Sequence, residues 1–286
     1  MMPSCDFGQD ELQLRCVDRL YCGLSPDIAR GTICVILNAV VDDSQNDDFY
    51  LVAGFVASLD QWAPFPPNWY EVLKRPPKLG FYRTSDSLAL KKDFQHFDKK
   101  MRDERVVALA RTIPSGVGCF GIRCTVPKTD FHELYSPNFH PAWKDPYYLC
   151  AIILIQRLCI DLSVVPGLQK IDFIFDEQGK VGARFEGMYD RLIKPLSLPL
   201  FPFLGKVRHE DKKIFLPLQA ADMQAGWVRR LSSLIQAETS ADVYLKQIEQ
   251  RDYSITRARL EHLADYANAH AEEMKAFAEM FEQNFK

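Results

Sequence analysis

Apolar, β-branched runs alternate along the chain with stretches whose apolar residues recur at helical spacing. Residues 32–41 are almost wholly apolar, which predicts a buried strand. Residues 49–56 predict a second strand, and the polar segment between them makes a hairpin the simplest connection. Gly54, inside the second run, predicts a close approach of two backbones. Residues 118–126, 170–175 and 204–209 predict three further strands, with Glu210-Asp211 turning the last into a short hairpin. Residues 86–112 read as one helix, because Leu88, Phe94, Phe97, Met101, Val106 and Leu109 recur near helical spacing and Ser85 or Asp86 suits the cap. Residues 143–162 predict an apolar helix opened by Asp145-Pro146. Residues 181–193 predict a helix stopped by Pro195, and residues 217–235 another. Residues 10–30 read as a short helical lead-in, and Asn68 to Leu73 as a turn or two of helix.

The resulting order is hairpin, strand, helix, strand, helix, strand, helix. That order predicts an α/β fold of ribonuclease H-like type. Its sheet would be mixed and five-stranded, flanked by helices, with an antiparallel meander followed by parallel crossovers. The expected organisation is a lead-in over 1–30 and a main domain over 31–235. The main domain carries a helical insertion at about 60–115. A separate C-terminal helical extension follows over 236–286. In the extension Leu260, Leu263, Ala267, Met274, Phe277 and Phe281 form a three-four stripe. Such a stripe suits packing on its own domain or a homodimer helix.

Three acidic sites carry the candidate chemistry. The first apolar run ends in Asp42-Asp43-Ser44, and the fourth strand ends in Asp176-Glu177. Asp222 interrupts the soft stretch Leu218-Gln219-Ala220-Ala221-Asp222-Met223, where a charge is costly to bury without a partner. Each of the first two has a plainer reading: a polar hairpin turn for Asp42 to Asp48, and a strand exit with a helix cap for Asp176-Glu177. In the predicted fold the first and fourth strand ends are neighbours and the last helix crosses beside them. The carboxyls of Asp42, Asp176 and Asp222 are therefore expected within about 8 Å of one another. Clustered carboxylates repel unless a cation sits between them, and hard oxygen ligands favour Mg2+ or Mn2+. The expectation is a metal-dependent phosphodiester site, with Asp42, Asp176 and Asp222 as catalytic metal ligands for two ions roughly 3.5–4 Å apart. Asp43, Glu177 and Gln219 would support them, and Arg83, Lys206 and Arg208 would contact phosphate. A non-catalytic module that binds nucleic acid or protein through the same face is the alternative.

Composition narrows this further. The net charge is −3, so no global basic footprint for nucleic acid exists, although local basic pairs allow a groove. None of the 8 cysteines forms a Cys-x-x-Cys pair, which argues against zinc and for free thiols in a reducing cytoplasm. The most apolar segment, residues 149–160, is short and broken by Gln156-Arg157, so no membrane span is expected. A nucleophile elbow, a Walker A loop and a Gly-x-Gly-x-x-Gly run are absent.

At the acidic sites the chain resembles a bacterial and phage family called domain of unknown function 3800. That family has a first strand ending in Asp-Glu-Ser-Gly, a later strand ending in Asp, and a Leu-Gln-x-Ala-Asp helix. Here the corresponding residues are Asp42-Asp43-Ser44-Gln45, Phe175-Asp176-Glu177 and Leu218-Gln219-Ala220-Ala221-Asp222. The resemblance covers about residues 32–232 and implies a ribonuclease H-like fold. It departs at Asp43 and Gln45, and the helix at 143–162 offers only Asp161 where many ribonuclease H-like nucleases place an inward Glu. A role in a defence or mobile-element system fits the non-catalytic alternative.

Overall fold

The computed structural model describes residues 35–139, 143–232 and 240–273, together with 275, 276 and 279. The predicted lead-in and Met274, Phe277 and Phe281 of the C-terminal stripe lie outside the described residues. The sheet is built from β1 (Val35–Gln45), β2 (Phe49–Ser58), β3 (Phe120–Pro127), β4 (Leu168–Asp176), β5 (Leu204–Glu210) and β6 (Gln250–Asp252). Their order across the sheet is β5-β4-β1-β2-β3-β6. β1 to β3 form an antiparallel meander, while β4 runs parallel to β1, β5 to β4 and β6 to β3. This is an α/β architecture on a mixed sheet of six strands, one more than the sequence predicts.

Both faces of β1 are buried, which explains its unbroken apolar run. Leu37, Ala39 and Val41 face one core layer, against α5 (Pro146–Leu162). Ile36 and Val40 face the other, with α1 (Leu59–Trp62), α2 (Phe65–Leu73), α4 (Lys99–Ala110) and α7 (Pro217–Ser232). Asp145 caps α5 by accepting from the Tyr147 N–H at 2.9 Å, with Pro146 in the first turn. Gly54 meets β1 so closely that a Cβ there would stand 1.8 Å from the Val40 carbonyl oxygen.

Four expectations are corrected. β1 does not stop at Val41 but continues to Gln45, and the turn falls at Asn46, whose Oδ1 accepts from the N–H of Asp48 and Phe49. The single helix over 86–112 is two, α3 (Thr84–Ala89) and α4. Leu90 breaks it with a φ of 52°, Asp98 caps the second helix, and Phe94 and Phe97 reach the core from the intervening turn. Pro195 does not end the helical segment that begins with α6 (Gly179–Met188), because it sits in the first turn of a further short helix, Lys194–Ser197. Glu210-Asp211 forms no hairpin: the Asp211 carbonyl accepts from Ile214 and Phe215 and turns the chain into α7.

The segment after α7 is also not separate from the sheet. It supplies β6, and α8 (Arg257–Ala269) buries Leu260, Ala264 and Ala267. Among the described residues no helix is long and apolar enough to cross a membrane. The tightness at Gly54 makes a simple prediction. Gly54→Ala should lower the unfolding free energy by about 1–3 kcal/mol, the range for overpacking. A urea midpoint equal to that of wild type would show that the two strands separate without cost.

Candidate functional site

Strand alternation places the acidic residues. Asp42 lies two residues beyond Val40, and Asp176 two beyond Ile174, so both project toward the face that carries α7. β1 and β4 are parallel neighbours, and their C-terminal ends form one rim. On α7, Asp222, Ala225, Gly226 and Arg229 follow i, i+3, i+4, i+7 spacing and present one strip to the same cleft. Gly226 makes room for Thr84, since a Cβ there would stand 2.3 Å from Thr84 Cγ2, and the cleft beside them has a volume of about 400 Å³.

The centre of the convergence is Lys212, in the loop between β5 and α7. Its Nζ lies 2.8 Å from Asp42 Oδ2, 2.8 Å from Asp176 Oδ2 and 3.0 Å from Asp222 Oδ1. No two of these oxygens are separated by more than two such contacts, about 6 Å. All four side chains are nearly enclosed: 4% exposed for Asp42, 13% for Asp176, 11% for Asp222 and 14% for Lys212.

One ammonium cannot satisfy three buried carboxylates. The shortfall appears at Asp42, whose pKa is raised well above the ordinary range by burial and by Asp222, Asp176 and Asp43, against the opposing pull of Lys212. Burial alone would lower the Lys212 pKa, but Asp42, Asp222 and Asp176 together hold it above the usual lysine range.

The surrounding bonds fix these groups. The Thr84 N–H donates to Asp222 Oδ2 at 2.6 Å, and the Thr84 hydroxyl donates to the Asp222 carbonyl at 3.0 Å. The Gln219 side chain directs its hydrogen bonds elsewhere than to Asp222. Its Oε1 accepts from Trp69 Nε1 and the Tyr82 N–H, each at 2.8 Å, and its Nε2 donates to the Lys212 carbonyl at 2.8 Å. Gln219 therefore ties α7 to the insertion and to the loop that carries Lys212. Asp43 projects toward the opposite face and accepts from Gln178 Nε2.

The other predicted contacts divide. Asp43, Glu177 and Arg83 line the cleft. Lys206 and Arg208 do not: the Lys206 N–H donates to Asp172 upstream on β4, and Arg208 lies 3.5 Å from Glu210. Both sit on β5 before the rim, which sequence proximity to an acidic site does not reveal. Asp161 is also remote from the cluster, accepting from the Tyr253 hydroxyl at 2.8 Å. Sequence reasoning places Lys212 and Arg229 only among the basic pairs that could line a groove and misses their place at the acidic site, where Arg229 Nη1 donates to Ser44 Oγ at 3.3 Å. Lys212 stands ten residues before Asp222 in a polar loop, where any lysine reads as solvated surface.

Among the described residues, no three His, Cys, Asp or Glu side chains are arranged as a metal-holding set. The carboxylates are instead gathered around the ammonium. In kind, the donors suit a hard divalent cation: three carboxylate oxygens already converge on one cation-sized point, where a single ammonium compensates only part of their charge. No family model and no curated protein matches the chain.

Lys212→Met leaves the three carboxylates without their cation. The variant should be less stable than wild type by about 3–5 kcal/mol at pH 7, the cost of orphaning a buried charge. The sign with pH follows from Asp42. A carboxyl that binds its proton more tightly folded than unfolded opposes folding once ionised, so stability falls as pH rises from the ordinary carboxylate range through its raised value. The Lys212→Met deficit should therefore shrink as pH is lowered through that window. A deficit independent of pH in urea titrations would assign the loss to packing.

Proposed function

We propose that this chain is a divalent-metal-dependent nuclease, or a related phosphoryl-transfer enzyme, of ribonuclease H-like fold and akin to the domain of unknown function 3800 family. The observation that carries the reading is the convergence of Asp42, Asp176 and Asp222 from β1, β4 and α7 on one cation position. The parallel β1/β4 pair beside an antiparallel meander supports the fold assignment. Mg2+ or Mn2+ would be held by Asp42, Asp176 and Asp222, and when bound would polarise a phosphoryl oxygen and lower the pKa of an attacking water.

The chain's own residues then have separable tasks. Thr84 fixes the orientation of Asp222 from the backbone, so the carboxylate needs no rearrangement to act as a ligand. Arg83 and Arg229 line the cleft and would pair with phosphate oxygens, for which a guanidinium fork is well shaped. Gln219 anchors the Lys212 backbone, while four rotatable bonds let the ammonium swing from the carboxylates to a bound phosphate. Lys212 would thus keep the empty cluster tolerable and neutralise substrate charge in the loaded one. A nucleic-acid strand is the expected substrate class, and the cytoplasm the expected location.

One observation favours the second reading, a non-catalytic nucleic-acid- or protein-binding module. Lys212 already bridges all three carboxylates, as a purely structural ion-pair cluster would. Asp222→Asn separates the two. The Asn Oδ1 can still accept from Thr84; its NH2 loses the bond from Lys212, but the fall in charge imbalance offsets that loss, so the metal-free variant should melt close to wild type. Its Mn2+-dependent cleavage of labelled DNA or RNA should drop by more than the roughly 10–100-fold that loss of an outer-shell partner costs. Absence of Mn2+-dependent cleavage by wild type on both substrates would favour the binding module.

A further inference from the structure

A second constellation lies on the opposite face of the sheet. His209 on β5 pairs in register with Phe175 and stacks on its ring, with centroids 5.6 Å apart. His209 Nδ1 lies 2.8 Å from Glu186 Oε1 on α6, which also accepts the His209 backbone N–H at 2.5 Å. His209 Nε2 lies 2.7 Å from the hydroxyl of Tyr147, in the first turn of α5. Three separate elements thus bring their side chains into one line. Gly182 on α6 makes space for the imidazole, since a Cβ there would come within 2.8 Å of the ring.

The bonds fix the protons. Glu186 accepts at Nδ1, so Nδ1 carries the hydrogen and Nε2 is left to accept from Tyr147. Burial lowers the His209 pKa despite Glu186, which keeps the ring a neutral acceptor. Half-buried Tyr147 lines a second cleft of about 350 Å³. That cleft shares Asp43, Ser44 and Gln178 with the aspartate cleft, so the two join over the rim of the sheet. A hydroxyl on a histidine that is oriented by a carboxylate is the arrangement of an activated nucleophile, its base and the base's anchor.

We propose that Tyr147, His209 and Glu186 form a nucleophilic triad that attacks phosphorus centres from the second cleft. The Tyr147 oxygen forms a bond to phosphorus while the bond from phosphorus to the leaving oxygen breaks, its electron pair staying on that oxygen; the Tyr147 hydroxyl proton passes to His209 Nε2, and the leaving oxygen takes a proton from solvent and departs as the free hydroxyl end of the strand. Glu186, as a positioning residue, pairs with the resulting imidazolium. Burial, and after it the charges of Asp43 and Asp42, disfavour a free tyrosinate, so proton transfer accompanies bond formation rather than preceding it. The choice of phosphorus rests on the proposed function of the aspartate cleft; the triad itself does not. A nucleic-acid strand crossing the rim would meet both clefts, and the product would be a phosphotyrosyl ester.

The test treats full-length protein, without divalent ions or nucleic acid, with an alkyl fluorophosphonate and in parallel with an aryl sulfonyl fluoride. Adducts are located by peptide mass spectrometry. Tyr147 should be labelled by both reagents, with loss of fluoride, faster than Tyr266, which is 52% exposed and serves as the internal standard. His209→Asn and Glu186→Gln, each checked for folding by thermal melt, should slow labelling at least about tenfold, a floor beneath the roughly 10²–10⁴ of a positioned base. Labelling by the sulfonyl fluoride alone would keep the nucleophile and overturn its phosphorus chemistry, leaving the aspartate reading intact. Labelling of Tyr147 no faster than Tyr266 by either reagent, or unchanged in folded His209→Asn, would overturn the triad and leave a structural hydrogen-bond chain.

Discussion

Three carboxylates held around one ammonium set the terms for this end of the molecule. Bringing Asp42, Asp176 and Asp222 out of water costs several kcal/mol per ion, and their mutual repulsion adds to it. Lys212 offsets part of that cost, and the fold is arranged to deliver it. The parallel pairing of β1 with β4 puts two acids on one rim, α7 brings the third, and Gln219 holds the lysine loop against α7. Buried ion clusters are often no more stabilising than apolar residues of the same volume. A cluster that binds this tightly and leaves Asp42 undercompensated is thus poorly explained as a stability device. The proposed function reads it as a site kept ready for a stronger cation.

The sheet rim also connects two chemistries that the strands hold apart. Alternation sends Asp42 and Asp176 to the face of α7 and leaves Phe175 and His209 on the face of α5 and α6. Asp43, Ser44 and Gln178 are the shared border. A ligand long enough to cross that border would contact carboxylates and arginines on one side and Tyr147 on the other. The nucleic-acid strand of the proposed function has that reach.

The sequence made the central strands and the acidic trio legible because their signals are local. A β-branched run ending in an acid, and a charge inside a soft helix, can each be recognised without knowing what lies opposite. Gly54 was legible for the same reason. What escaped depended on contacts distant in sequence. Lys212 and Arg229 gain their meaning only when the β5–α7 loop folds over the rim. Tyr147 and His209 are 62 residues apart and meet only through the sheet. β6 is three residues long, too short for a periodic signal. The single helix read over 86–112 failed because Phe94 and Phe97 are buried as a helical stripe would be, yet from a turn that Leu90 opens with a left-handed residue.

The most direct test is a high-resolution crystal structure of the wild-type protein soaked in Mn2+, with the ion located by its anomalous signal. The account predicts Mn2+ coordinated by Asp42, Asp176 and Asp222, with the Lys212 ammonium moved out of the centre toward the cleft. Lys212 still bridging all three carboxylates at saturating Mn2+, with no anomalous peak among them, would contradict it.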